Sequence, residues 1–176
     1  MSRGLGDVYK RQPMKHTISI LVENHAGVLA RVAGLFARRG FNIDSLAVGV
    51  TEDEKISRIT IIADGTAYTL EQIEKQLNKL IDVIKVRHLP AEELLSRELV
   101  LIKVACQPSQ RAELISLAEI AKAKISDITV NTMTLELSDS VPRIKTFEEL
   151  LRPYGIKETV RTGSIAMQKG GASMKL

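Results

Sequence analysis

The stretch Leu21–Ile43, LVENHAGVLARVAGLFARRGFNI, decides the fold. It opens on the end of a strand, because Ile18, Ile20 and Val22 alternate with Ser19 and Leu21, a period-2 pattern with at least one buried face. It continues as a helix, because Val28, Leu29, Val32, Leu35 and Phe36 recur at helical spacing. Gly40 suits a left-handed stop for that helix, and Arg38 and Arg39 stand at the negative end of its dipole. The stretch closes on the start of a second strand, Phe41–Val50, whose inward parity changes between Ile43 and Leu46 and so predicts a bulge.

Downstream, the polar run Thr51–Lys55 turns the chain into a third strand, Ser57–Ala63, which Asp64-Gly65 ends. Leu70, Ile73, Leu77 and Leu80 make a second helical stripe, and Val83–Leu89 reads as a fourth strand. The order β-α-β-β-α-β, with two right-handed crossovers, predicts a four-stranded antiparallel sheet with both helices on one face. After Pro90 the order begins again. Leu99–Ala105 is an apolar strand, and Leu114, Leu117, Ala118 and Ala121 form a helical stripe. Ile125–Val130 and Thr132–Leu137 are strands, a helix with Ile144, Phe147 and Leu151 inward starts near Pro142, and Ile156–Arg161 closes the set. The expected class is therefore α+β, two tandem ferredoxin-like βαββαβ domains. They are placed at residues 14–90 and 98–168, with a linker at 91–97 and a loose tail at 169–176.

Residues 1–13, MSRGLGDVYKRQP, lack any periodicity and precede a fresh Met-Lys at Met14. The run Asp7–Gln12 resembles the translation of a common sequencing adapter. The segment is therefore read as a non-native leader and set aside from the fold. It holds Arg3, Lys10 and Arg11 against Asp7, so half of the net charge of +4 lies there. The remaining charges alternate in sign, as in Glu71, Glu74, Lys75 and Lys79, which is a solvated surface and not a nucleic-acid face. With no tryptophan and 3% aromatics, base-stacking platforms are also disfavoured. No window is long and apolar enough for a membrane helix, and no secretory signal pattern is present. A single cysteine, Cys106, fits a reducing cytoplasm.

The chemistry concentrates where the first strand hands over to its helix. A tight turn through Gly27 leaves the backbone N–H groups of Gly27, Val28 and Leu29 at the positive end of a helix, where a carboxylate fits. Gly27 has no Cβ to hold a ligand off. Asn24 offers an amide oxygen to an ammonium group, and Asn42 is expected near the same sheet edge. A free amino acid carries both charges on one carbon and matches this set. The same residues also read as local structure, with Asn24 as helix cap, Gly27 as turn former and Asn42 satisfying a nearby backbone group.

The run Glu23–Leu46, ENHAGVLARVAGLFARRGFNIDSL, is similar to the first strand, helix and second strand of ACT domains. With LEQIEKQLNKLIDVIKV at Leu70–Val86, RELVLIKV at Arg97–Val104 and YGIKETVRTGSIAM at Tyr154–Met167, the chain resembles the small regulatory subunits of acetolactate synthase over about residues 14–168. The resemblance implies duplicated ACT-like domains and a homodimer. The implied effector, valine or a related branched-chain amino acid, is bound between first domains at Asn24, Gly27 and Asn42, with Val28 and Leu29 lending backbone donors. It also implies a catalytic large subunit as partner, carrying the thiamine diphosphate, magnesium and FAD, with no cofactor on this chain. The second domain departs from the pattern. ACQPS at Ala105–Ser109 replaces ENHAG, and Pro108 removes an N–H.

Catalytic motifs are missing. His16, His25 and His88 share no metal-ligand spacing, and neither a phosphate loop nor a GxSxG elbow occurs. A stand-alone amino-acid sensor acting on another enzyme or a transcription factor remains the rival reading, because the fold serves many hosts. An RNA-binding module lacks its aromatic motif here.

Overall fold

The computed structural model describes residues 14–175; the segment read as a non-native leader lies outside the described residues. The described chain divides into two units, the first comprising the described residues up to Leu95 and from Ile165 onward, the second Ser96–Ser164.

In the first unit the elements are β1 (Met14–Glu23), α1 (Val28–Arg38), β2 (Ile43–Val50), β3 (Ile56–Gly65), α2 (Ala67–Leu77) and β4 (Val83–Leu89). The sheet order is β2-β3-β1-β4, and the neighbouring strands pair antiparallel. This is the interlocked double crossover that the element order predicts. Ile18, Ile20 and Val22 point to the helices and are buried with Val28, Val32, Leu35 and Phe36 of α1, Ile59 and Ile61 of β3, and Ile73 and Leu77 of α2. The end of α1 is set by hydrogen bonds from the Arg39 and Phe41 amides to Phe36 O and from Gly40 to Ala37 O, with Gly40 at φ 67°. The predicted irregularity in β2 is a register shift between Ile43 and Ser45. Thr66 caps α2 by accepting a hydrogen bond from the Thr69 amide at 3.2 Å.

The second unit repeats the topology. It uses β5 (Leu94–Ala105), α3 (Arg111–Ala121), β6 (Lys124–Ile128), β7 (Thr132–Asp139), α4 (Val141–Leu151) and β8 (Ile156–Arg161), in the order β6-β7-β5-β8. Its core gathers Val100, Ile102, Val104, Leu114, Met133, Leu135, Ile144, Phe147 and Leu151. Buried Glu98 receives a two-pronged ion pair from Arg161, at 2.9 Å from Nε and 3.2 Å from Nη2. Such a fork is favoured by guanidinium geometry.

Two boundaries differ from the sequence reading. The stretch 91–97 is no free linker, because Ala91–Glu93 forms a 3₁₀ turn and β5 starts at Leu94. The tail, read as loose from Lys169, is held. β9 (Ile165–Gln168) and the described residues after it, as far as Lys175, belong to the first unit. Arg58 Nη2 donates to Ala166 O at 2.9 Å, Arg87 Nη1 to Gln168 Oε1 and Ser173 O at 3.3 Å, and Lys85 Nζ to Lys175 O at 2.6 Å. These cations share the sheet face opposite the helices with Ser19 and Leu21, which are buried there. Pairing of carbonyls with long side chains leaves no hydropathy period, so the composition of Gln168–Leu176 concealed it.

Candidate functional site

Gly27 stands immediately before α1 in the left-handed region, φ 86° and ψ −12°, and no side chain caps the helix. The first backbone bond of the helix runs from the Arg31 amide to Gly27 O at 3.1 Å. The amides of Val28 and Leu29 precede that bond and have no acceptor one helical turn back. Val28 is 3% exposed, so it anchors the helix in the core and offers only its backbone, whereas Leu29 keeps its side chain at the surface.

Asn24 does not cap the helix. Its amide N–H donates to Lys55 O at 2.7 Å and its side-chain Nδ2 to Glu54 O at 2.7 Å, which orients the carboxamide. The donor role identifies the nitrogen, so Oδ1 is the atom left to accept from an ammonium group. Asn24, Gly27, Val28 and Leu29 thus form one open turn at the surface.

Asn42 is not there. It donates to Asp44 Oδ1 at 3.1 Å, and Asp44 pairs with Lys15 at the start of β1. Ile43 faces Ala63 on β3, while Asn24 is level with Lys55. The separation is therefore about 25 Å at the usual strand rise. The expectation that Asn42 shares a sheet edge with Asn24 is corrected by the crossover itself. A helix that starts where β1 ends must carry the chain back to where β1 began before β2 can run parallel to it.

Four side chains that the sequence reading left without a role surround the turn. Asp82, 5% exposed, receives Arg31 Nε on Oδ2 at 2.6 Å and lies 3.0 Å from His25 Nε2 through Oδ1. His25 Nε2 also meets Glu23 Oε2 at 3.1 Å, and its Nδ1 lies 3.3 Å from Ala26 O. Glu23, His25 and Asp82 offer ligand atoms within 4.8 Å of one another, the arrangement a cation would need. An imidazole protonated on both nitrogens satisfies the same contacts, and Arg31 neutralises the second charge. The Ala26 carbonyl and the Glu23 carboxylate hold the His25 pKa above its ordinary value. The turn therefore gains a contribution from the imidazolium that is complete below the unfolded pKa and is lost as pH rises through the raised folded value. An NMR titration of the His25 ring should show that elevated midpoint, and Glu23→Gln should lower it. A midpoint at the free-imidazole value would mean that the bridge does not exist in solution. The spacing of Arg31, four residues after Gly27, was the available signal for this cluster; Asp82 had none, since it enters from a distant loop.

In the second unit the equivalent turn is closed. Gln107 and Gln110 form a reciprocal capping box around the 3₁₀ turn Pro108–Gln110. Side chains there engage the amides of Gln107 and Gln110, whereas no side chain reaches the amides of the first unit's turn into α1.

Comparison with known proteins agrees with this architecture. Residues 18–85 match the family model described as "AHAS small subunit-like ACT domain", and residues 97–170 match "Small subunit of acetolactate synthase". A probable acetolactate synthase small subunit of Archaeoglobus fulgidus is 50% identical over 157 residues, 89% of this chain and 98% of that protein. The acetolactate synthase small subunit of Mycobacterium leprae is 44% identical over 155 residues, 88% of this chain and 92% of that protein. The crystal structure of the Thermotoga maritima acetolactate synthase small subunit superposes with a TM-score of 0.85 at 38% identity, covering 90% of this chain and 99% of that one. Two tandem ferredoxin-like units, an uncapped turn at Gly27 and relatives matched along nearly their whole length have one reading: the chain belongs to the family of acetolactate synthase small subunits.

Proposed function

We propose that this chain is the non-catalytic regulatory subunit of acetolactate synthase, raising the activity of a separate catalytic subunit and conferring feedback inhibition by valine or another branched-chain amino acid. Thiamine diphosphate, magnesium and FAD belong, on this reading, to the catalytic partner. The observation that carries the effector reading is the open turn. Amides of Val28 and Leu29 face outward without a cap, beside the oriented carboxamide of Asn24. An anion is favoured at such a helix start and an ammonium at Asn24 Oδ1.

The distance between Asn24 and Asn42 supports a two-copy site. β2 is an edge strand, and Val48 and Val50 expose 47% and 62% of their surface along it. Antiparallel pairing of β2 with β2 of a second copy sets the start of one strand against the end of the other. That brings Asn42 of one copy toward the Asn24 end of its neighbour. A two-fold axis then generates two equivalent effector sites. The effector acts by binding one arrangement of this dimer better than another, with a typical coupling of about 1–3 kcal/mol.

The test is reconstitution with an acetolactate synthase large subunit, titrating valine, leucine and isoleucine. Activation without inhibition by any of the three would remove the effector half of the proposal. In the same assay, Asn24→Ala should keep activation and weaken inhibition by about 10- to 100-fold, the loss of one hydrogen bond to a charged group. Inhibition at an unchanged effector concentration would mean that Asn24 does not hold the ammonium.

A further inference from the structure

Arg31 stands one helical turn beyond Gly27, and its Nη1 lies 3.1 Å from the point a Cβ on Gly27 would occupy. The guanidinium therefore lies over the bare Cα of the residue that opens α1, beside the amides that precede the first helical bond. Its Nε is committed to Asp82 Oδ2 at 2.6 Å, which leaves the Nη1 and Nη2 edge of the fork outside that ion pair. Asp82 is buried, and its other oxygen is occupied by His25 at 3.0 Å. Glu23 supplies the fourth charge of the group, 3.1 Å from the same imidazole nitrogen. With His25 protonated, the two cations balance the two carboxylates, so an anion arriving at Gly27 meets no net negative charge. A guanidinium anchored at one edge by a buried carboxylate presents its other edge with little freedom left to lose.

We infer that Arg31 is the charge partner of the effector's carboxylate and that Asp82 is the positioning residue that aims it. This rests on the reading of the turn as an amino-acid site and extends it. The main-chain amides donate to the anion at the helix end, and Arg31 closes the site from the side that Gly27 leaves empty. Asp82 acts only through the arginine. The carboxylate, more than the aliphatic side chain, is then what this end of the site selects.

The experiment is calorimetric titration of the full chain with valine and with valinamide, which keeps the ammonium and the side chain but has no carboxylate. The wild-type chain should prefer valine by at least about tenfold, the usual scale for a charge-assisted contact. Arg31→Gln should remove most of that preference by weakening valine about tenfold or more while leaving valinamide within about twofold. Arg31→Lys, which keeps the charge without the fork, should recover part of it. Retained valinamide binding also shows that the variant site is folded. If Arg31→Gln weakens both ligands equally, or neither, the arginine does not meet the carboxylate and the inference is overturned. A wild-type chain that binds neither ligand overturns the effector reading and this inference with it, and that result appears before any substitution is made.

Discussion

Gly27→Asp is expected to abolish the effector response while leaving a folded chain that still activates its partner. The new carboxylate would enter from the Cα over which the Arg31 guanidinium lies, beside the Val28 and Leu29 amides. It would take, as a tethered anion, the donors that the proposal reserves for the effector carboxylate. A like charge brought against the ligand costs several kcal/mol, so affinity should fall by at least about 100-fold. Stability should change much less. An L residue at φ 86° is strained by about 1–2 kcal/mol, but aspartate tolerates this region and is a favoured helix cap. Gly27→Ala carries the strain without the charge and should retain more of the effector affinity than the aspartate variant. Calorimetry with valine and inhibition of the reconstituted enzyme measure both. Unaltered affinity in the aspartate variant would show that the helix start is not the anion site.

Phe36→Ala should be the most damaging truncation in the first unit. Phe36 is fully buried in the core and meets Phe41 edge-on, with ring centroids 6.5 Å apart and planes at 75°. Removing a buried phenylalanine costs about 3–5 kcal/mol, against a total of about 5–15 kcal/mol for a domain. Hydrogen exchange should report the loss as a fall of about two to four orders of magnitude in the protection of amides in β1 and β3. Leu29→Ala, two turns earlier on the same helix and 42% exposed, should move stability by no more than about 0.5 kcal/mol. Equal protection in Phe36→Ala and wild type would contradict the packing of α1. Because α1 also presents the Val28 and Leu29 amides, its loosening should weaken the effector too, linking core and site through one helix.

How much of this was legible beforehand depends on whether a residue acts through local or distant neighbours. The alternation Ile18, Ile20, Val22 and the stripe Val28, Leu29, Val32, Leu35, Phe36 are local periodicities, and all of these residues but the exposed Leu29 are in the core. The parity change in β2 likewise appears as the register shift after Ile43. Gly27, Val28 and Leu29 fall on one turn because they are contiguous. Asn42 was misplaced because its position depends on where a whole helix returns the chain. Arg31 and His25 gained their meaning only from Asp82, more than fifty residues away in sequence.

The sequence by itself determined the order of elements, their repetition, the two apolar cores and the place of the turn at Gly27. Each of these follows from side-chain period or backbone preference over a few residues. Only the tertiary structure decided that Asn24 and Asn42 stand at opposite ends of a sheet, that Lys169–Lys175 is held on its outer face, and that a buried Asp82 joins Arg31 to His25. Those facts come from hydrogen bonds and ion pairs between segments far apart in the chain. Such contacts leave no period in the sequence, because their energy depends on where the backbone has already gone.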